Sequence, residues 1–135
     1  MRIAIVSAPR QRGGAVDCVK ALGRGMEAMG HRVDIFDIWT EDGSRLPGYE
    51  YIAVVAESAS LFRGRMPSGL SKFFSVSNGL VGKKGAVFLH KTSPFTAKAL
   101  SNLMKAMEKE GMWVNWFDTL INPSQAESIG KRVGA

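Results

Sequence analysis

SAPRQRGGAV, residues 7–16, stands between the apolar run of residues 3–6 and a helical pattern. A run that is apolar at every position over strand length reads as a buried strand. Beyond Gly14 the apolar residues Val16, Val19, Leu22, Met26 and Met29 recur at steps of three or four, and Gly30 supplies a stop. The stretch is therefore a strand-to-helix turn. Backbone N–H groups and the positive end of the helix dipole gather at the mouth of such a turn, a setting that favours an anion. Gly13 and Gly14 let a backbone approach closely, and Arg10 and Arg12 carry charge, but Ser7 is the one hydroxyl.

Four further strand-length segments follow: RVDIFDI near residue 32, YIAVVAE near 51, GAVFLHK near 85 and MWVNWFD near 112. Helical patterns separate most of them, and that alternation predicts a parallel sheet with helices on both faces. One helix begins near Pro67 and Ser68 and buries Leu70, Phe73 and Phe74. The next has Ser93 as N-cap, Pro94 at its first position, a face of Ala97, Leu100, Leu103, Met104 and Met107, and Gly111 beyond its end. Ser124 and Glu127 have capping-box spacing ahead of a short last helix through Ile129 and Val133. Within the first helix, Gly23 and Gly25 each cost about 1 kcal/mol relative to Ala.

The second connection, WTEDGSRLPGYE at residues 39–50, breaks this rhythm. With Gly43, Pro47 and Gly48 and no helical period, it predicts a loop or single turn where a second helix would cover the sheet. Trp39 and Leu46 are the residues to fill part of the gap, and an apolar patch left uncovered there would suit a partner or a dimer. The third and fourth segments are apolar throughout, as central strands are, whereas the second and fifth carry polar residues, as edges do. That favours an α/β sandwich with strand order 2-1-3-4-5, whose ligand crevice opens beyond the carboxyl ends of strands one and three.

The 135 residues form one expected domain, 1–135, able to bury about two-thirds of the surface exposed by the unfolded chain. An apolar fraction of 45% and a charged fraction of 22% suit a soluble globular protein, and no apolar run approaches the roughly 18 residues of a membrane span. The start MRIAIVSAPR reads as a strand and not as a signal peptide, and a lone Cys18 favours a cytoplasmic location. The net charge of +6 is spread thinly, with no basic helix interleaved with aromatics, so nucleic acid is not expected as a partner.

Two stretches bring a family into view. Pro9, Arg10, Gly13 and Gly14 resemble the Ser-Pro-Arg-x-x-Gly-Asn type phosphate loop of the flavodoxin-like superfamily, in its NAD(P)H-dependent FMN reductase branch. SLFRGRMPSGLSKFF, residues 60–74, followed by LVGKKGAVFLHK, is similar to that branch's aromatic-x-Gly-x-Met-Pro segment, its helix and the turn into strand four. The resemblance implies a flavodoxin-like three-layer sandwich that binds FMN non-covalently and serves in electron transfer or flavin-dependent reduction. It also implies the site. Ser7, Arg10, Gln11, Arg12, Gly13, Gly14 and Ala15 would hold the phosphate; Ser60, Leu61, Phe62, Arg63 and Gly64 would border the flavin ring, with Phe62 to stack on it; His90 and Thr92 would face it from the next loop. The loop departs from the pattern at Ala8, Ala15 and Val16, where hydroxyls or Asn are usual, and Asp17 places a negative charge in the first helical turn. A second reading therefore stands beside the first: a flavodoxin-like module without cofactor, acting as a binding or scaffold protein. The basic balance suits an acidic redox partner, and a homodimer is also admitted.

Other motifs fail on context. GRGMEA, residues 23–28, matches a dinucleotide fingerprint but lies inside a helical pattern instead of after a strand. The acidic residues of a receiver domain are replaced by Ser7, Ala8, Ser58 and Ala59, and Cys18 sits within a helix and not in a phosphatase loop. No Cys/His spacing supports a metal site.

Overall fold

The computed structural model describes residues 1–8, 16–41, 43–57, 70, 73–74, 79–90 and 96–133. The strands β1 (Arg2–Ala8), β2 (Arg32–Asp37), β3 (Tyr51–Glu57), β4 (Lys84–His90) and β5 (Trp113–Leu120) pair in parallel in the order β2-β1-β3-β4-β5. The helices are α1 (Val16–Ala28), α2 (Thr96–Lys109) and α3 (Pro123–Gly130), with a 3-10 turn at Gly43–Gly48. β1 and β3 are buried on both faces and β4 is buried from Gly85 to Leu89, whereas the edges β2 and β5 mix buried and exposed positions.

Two cores sandwich the sheet. On one face Ile3, Ile5, Tyr51, Ala53, Val55 and Phe88 meet Val19, Leu22 and Met26 of α1 and Ala126 and Ile129 of α3. On the other, Ala4, Val6, Ile52, Val54, Val87 and Leu89 meet Leu103 and Met107 of α2. Leu70, Phe73 and Phe74 are helical and buried in this second core, as their spacing predicts. Pro67, Ser68, Ser93 and Pro94 lie outside the described residues.

The glycine stops work as backbone caps. After α2, Gly111 (φ +86°) donates to the Glu108 carbonyl and Met112 to that of Met107. After α1, Gly30 (φ +90°) donates to Glu27 and His31 to Met26. Both are Schellman closures, which need a left-handed residue at the turn. Met29, by contrast, is 53% exposed and leaves the buried face of α1, because the helix ends at Ala28.

The second connection has no α-helix, and its 3-10 turn drives Leu46 fully into the core beside Phe36 and Tyr49. Trp39 does not fill the gap; it is 49% exposed. Nor is the aromatic pair bared. Phe36 and Tyr49 are buried edge-to-face at 5.5 Å, with the Arg45 guanidinium over Phe36 and that of Arg2 over Tyr49.

The last helix starts earlier than the Ser124/Glu127 spacing predicts. Asn122 is the N-cap, its side chain accepting from Gln125 N at 2.8 Å, with Pro123 at the first position; the helix ends at Gly130, and Val133 is buried in the turn beyond. Gln125 reciprocates by accepting from Ile121 N and donating to the Thr119 carbonyl, which ties α3 to β5. Asn122→Ala is expected to lower stability by about 1 kcal/mol, and Ser124→Ala by a few tenths at most, in urea denaturation.

Candidate functional site

Parallel pairing brings every strand's carboxyl end to one rim. Ser7 is in register with Asp37 of β2 and Val55 of β3, Glu57 with His90, and His90 with Leu120. From β1 the chain goes out to β2 on one side and returns to β3 on the other. The rim between β1 and β3 is therefore the switch point, where the two connections diverge and a crevice opens. β1, β3 and β4 end side by side on this rim at Ala8, Glu57 and His90, and α1 begins at Val16.

Among the site residues expected from sequence, Ser7 and His90 belong to the described structure. Arg10, Gln11, Arg12, Gly13, Gly14, Ala15, Ser60, Leu61, Phe62, Arg63, Gly64 and Thr92 lie outside the described residues. Tyrosines aside, Ser7 is the one buried polar side chain among the described residues, 6% exposed. It alternates with Ile3 and Ile5, so it faces the α1 side of the sheet. His90 closes β4 half-buried, and it alternates with Ala86 and Phe88 onto the same face. Two interstrand spacings and two residues of rise separate the two positions by roughly 12 Å. They stand apart on the rim and do not meet around one atom.

On the β2 side the rim is fastened. Ile38 N donates to the Ser7 carbonyl at 3.1 Å, and Asp37 Oδ1 accepts from Trp39 N at 2.8 Å. Trp39 therefore stands half-exposed at the end of β2, next to the strand that feeds the first loop. Sequence reading gave it part of the gap left by the missing second helix, and the polar Asp37 two residues before it was the signal for a turn at the rim. Glu57, in register with His90, was likewise not singled out, although an acid ending an apolar strand is visible in YIAVVAE.

Asp17 places an exposed carboxylate in the first turn of α1. Burial, and then the Asp17 carboxylate, raise the Cys18 thiol above the usual cysteine range, so it stays protonated and packs as an apolar residue. No group of three or more His, Cys, Asp or Glu side chains among the described residues is arranged to hold a metal ion, and no described helix is long and apolar enough to cross a membrane.

Neither a protein-family model nor a curated protein matches the chain in sequence. Solved structures do match in shape. Oxidised Flavodoxin 2 from Bacillus cereus superimposes with a TM-score of 0.74 at 17% identity, over 98% of this chain and 94% of that one. The two-electron reduced flavodoxin of Megasphaera elsdenii gives 0.71 at 15% identity, over 96% of each chain. The apo form of an NADH:FMN oxidoreductase gives 0.71 at 13% identity, over 97% of this chain and 86% of that one. The protein therefore has a flavodoxin-like α/β fold, as its strand order and its two-sided helical cover already indicate.

Proposed function

We propose that this chain binds FMN at the β1/β3 switch point and acts in electron transfer or flavin-dependent reduction. One observation carries the reading: β1 and β3 end side by side at the switch point with β4 next to them, and β1 is followed in the chain by α1, whose N-terminus favours a phosphate dianion. The residues at hand fit such a group in kind. The backbone of Gly13, Gly14 and Ala15 and the guanidinium groups of Arg10 and Arg12 hold the phosphate, with Gln11 and Ser7 as neutral donors. Phe62 is the aromatic for the ring, flanked by Ser60, Leu61, Arg63 and Gly64, and His90 and Thr92 border it from the β4 side. Bound flavin supplies the redox chemistry, so the chain needs to provide placement and electrostatics and no acid–base pair. The charge of +6 suits an acidic redox partner.

Visible absorption of the purified protein and titration with FMN, followed by quenching of flavin fluorescence, test this directly. One FMN per chain is expected. Arg10→Ala is expected to weaken binding about tenfold or more through loss of a charge-assisted hydrogen bond, and Gly14→Asp to abolish it by repulsion. A protein that takes up no FMN overturns the proposal and leaves the module without cofactor.

A further inference from the structure

The two edges of the sheet are built differently. β2, RVDIFD, carries Arg32, Asp34 and Asp37 in six residues, the usual protection of an open edge. β5, WVNWFDTL, is the longest strand and has Asp118 as its one charge, and along it Trp113 is 70%, Phe117 59% and the following Ile121 60% exposed. Exposed apolar groups on an uncharged edge are a template for pairing. We propose that β5 is a self-association edge, along which a second copy of this chain pairs antiparallel about a twofold axis through Phe117.

The register follows from three features. First, the ladder with β4 slips at Asn115: Val114 pairs with Gly85 and Trp116 with Ala86, and Tyr51 holds the bulged Asn115 by donating to its Oδ1 at 2.6 Å. Val114 consequently packs into the α2-side core and Trp116 into the α1/α3-side core, so Trp113 and Phe117 straddle the edge on opposite faces. An incoming strand is gripped from both sides.

Second, centring on Phe117 sets Asp118 opposite Trp116 of the second copy. The Arg132 guanidinium lies 5.0 Å from the Trp116 ring centroid, so the strand's one carboxylate meets a cation on the same face. Centring on Asp118 would instead set two carboxylates against each other.

Third, past the bulge the same register sets Val114 against Thr119 of the copy and carries Ile121 of the copy to Met112 on the α2 side, where Glu108, Gly111, Met112, Trp113 and Val114 line a groove. The three exposed side chains contribute about 400 Å² per copy, half of the roughly 800 Å² per partner of a stable interface, and the groove and open backbone add to it. Repulsion between two +6 chains is screened beyond about 8 Å at physiological salt.

Sedimentation equilibrium or light scattering on the intact chain decides the matter. At about 100 µM the protein is expected to be a dimer, and Phe117→Lys, on an exposed position, a folded monomer by circular dichroism. Asp118→Arg and Arg132→Asp are each expected to weaken the dimer about tenfold or more, and their combination to restore it. Ile35→Lys, on the β2 edge, should leave it intact. A monomeric wild type, a dimer that survives Phe117→Lys, a dimer lost in Ile35→Lys, or a double variant that fails to recover overturns the proposal. None of these readouts depends on flavin.

Discussion

Gly25→Ala is expected to lower the melting temperature by about 10 °C, whereas Gly23→Ala, two residues away in the same helix, raises stability by up to about 1 kcal/mol. A Cβ on Gly25 would collide with the Glu127 carbonyl oxygen and lie 2.9 Å from Gly130 Cα; a Cβ on Gly130 would collide with the Leu22 carbonyl oxygen and lie 3.0 Å from Gly25 Cα. α1 and α3 thus cross backbone to backbone. The obstacles are main-chain atoms of another helix, which cannot rotate away as a flexible side chain can. Separating the helices would pull Ala126 and Ile129 out of the core they share with Leu22 and Met26, at a cost of about 3 kcal/mol or more. At Gly23 the same methyl would meet Ile5 Cδ1 and Val33 Cγ1 at 3.6 Å, ordinary contact that adds burial to better helix propensity. Thermal and urea unfolding of Gly25→Ala, Gly130→Ala and the double variant check this. Once one methyl has parted the helices the second costs less, so the double variant should fall well short of additivity. Gly25→Ala within about 1 kcal/mol of wild type would refute the close crossing.

That contrast marks how far the sequence could be read. The strand order was legible because β1, β3 and β4 are buried on both faces and are apolar at nearly every position, a local property, while the charged β2 and the mixed β5 betray edges. Gly23 and Gly25 look identical to propensity; what separates them is a helix about 100 residues later, which no local pattern encodes. At α3 two overlapping cap signals compete, Ser124 with Glu127 and Asn122 with Gln125. Pro123, which has no N–H to donate and a fixed φ, favours the second by fitting the first helical position. The Asn115 bulge escapes periodicity because it reverses the alternation partway along β5. In the candidate site, position at the rim was legible for Ser7 and His90 from strand ends alone. The roles of the loop residues came from the resemblance, since a loop's chemistry has no period to read.

Leu46→Ala is expected to cost about 3 kcal/mol, far more than a leucine in a 3-10 turn ordinarily would. In a sheet covered by a full helix the loss of one side chain is shared among neighbouring turns, which shift to close the space. Here the second connection covers the β2 side of the sheet with Leu46 alone as its fully buried large apolar residue before Tyr49. Its surroundings cannot collapse. Tyr49 is pinned by a 2.6 Å hydrogen bond to Asp34 and stands edge-on to Phe36, and Arg2 and Arg45 close the outside over the two rings. Lys83 Nζ holds the Tyr49 carbonyl at 2.7 Å. A cavity that its walls cannot fill carries the full penalty. The same variant has a second readout. Burial, and then the bond to Asp34, raise the Tyr49 phenol above its ordinary value, so opening the site to water should bring that titration back down in ultraviolet absorption at alkaline pH. Trp39→Ala, at the half-exposed position first assigned to this gap, should stay within about 0.5 kcal/mol of wild type. Equal losses for the two variants would mean that Trp39, and not Leu46, closes the core where the helix is missing.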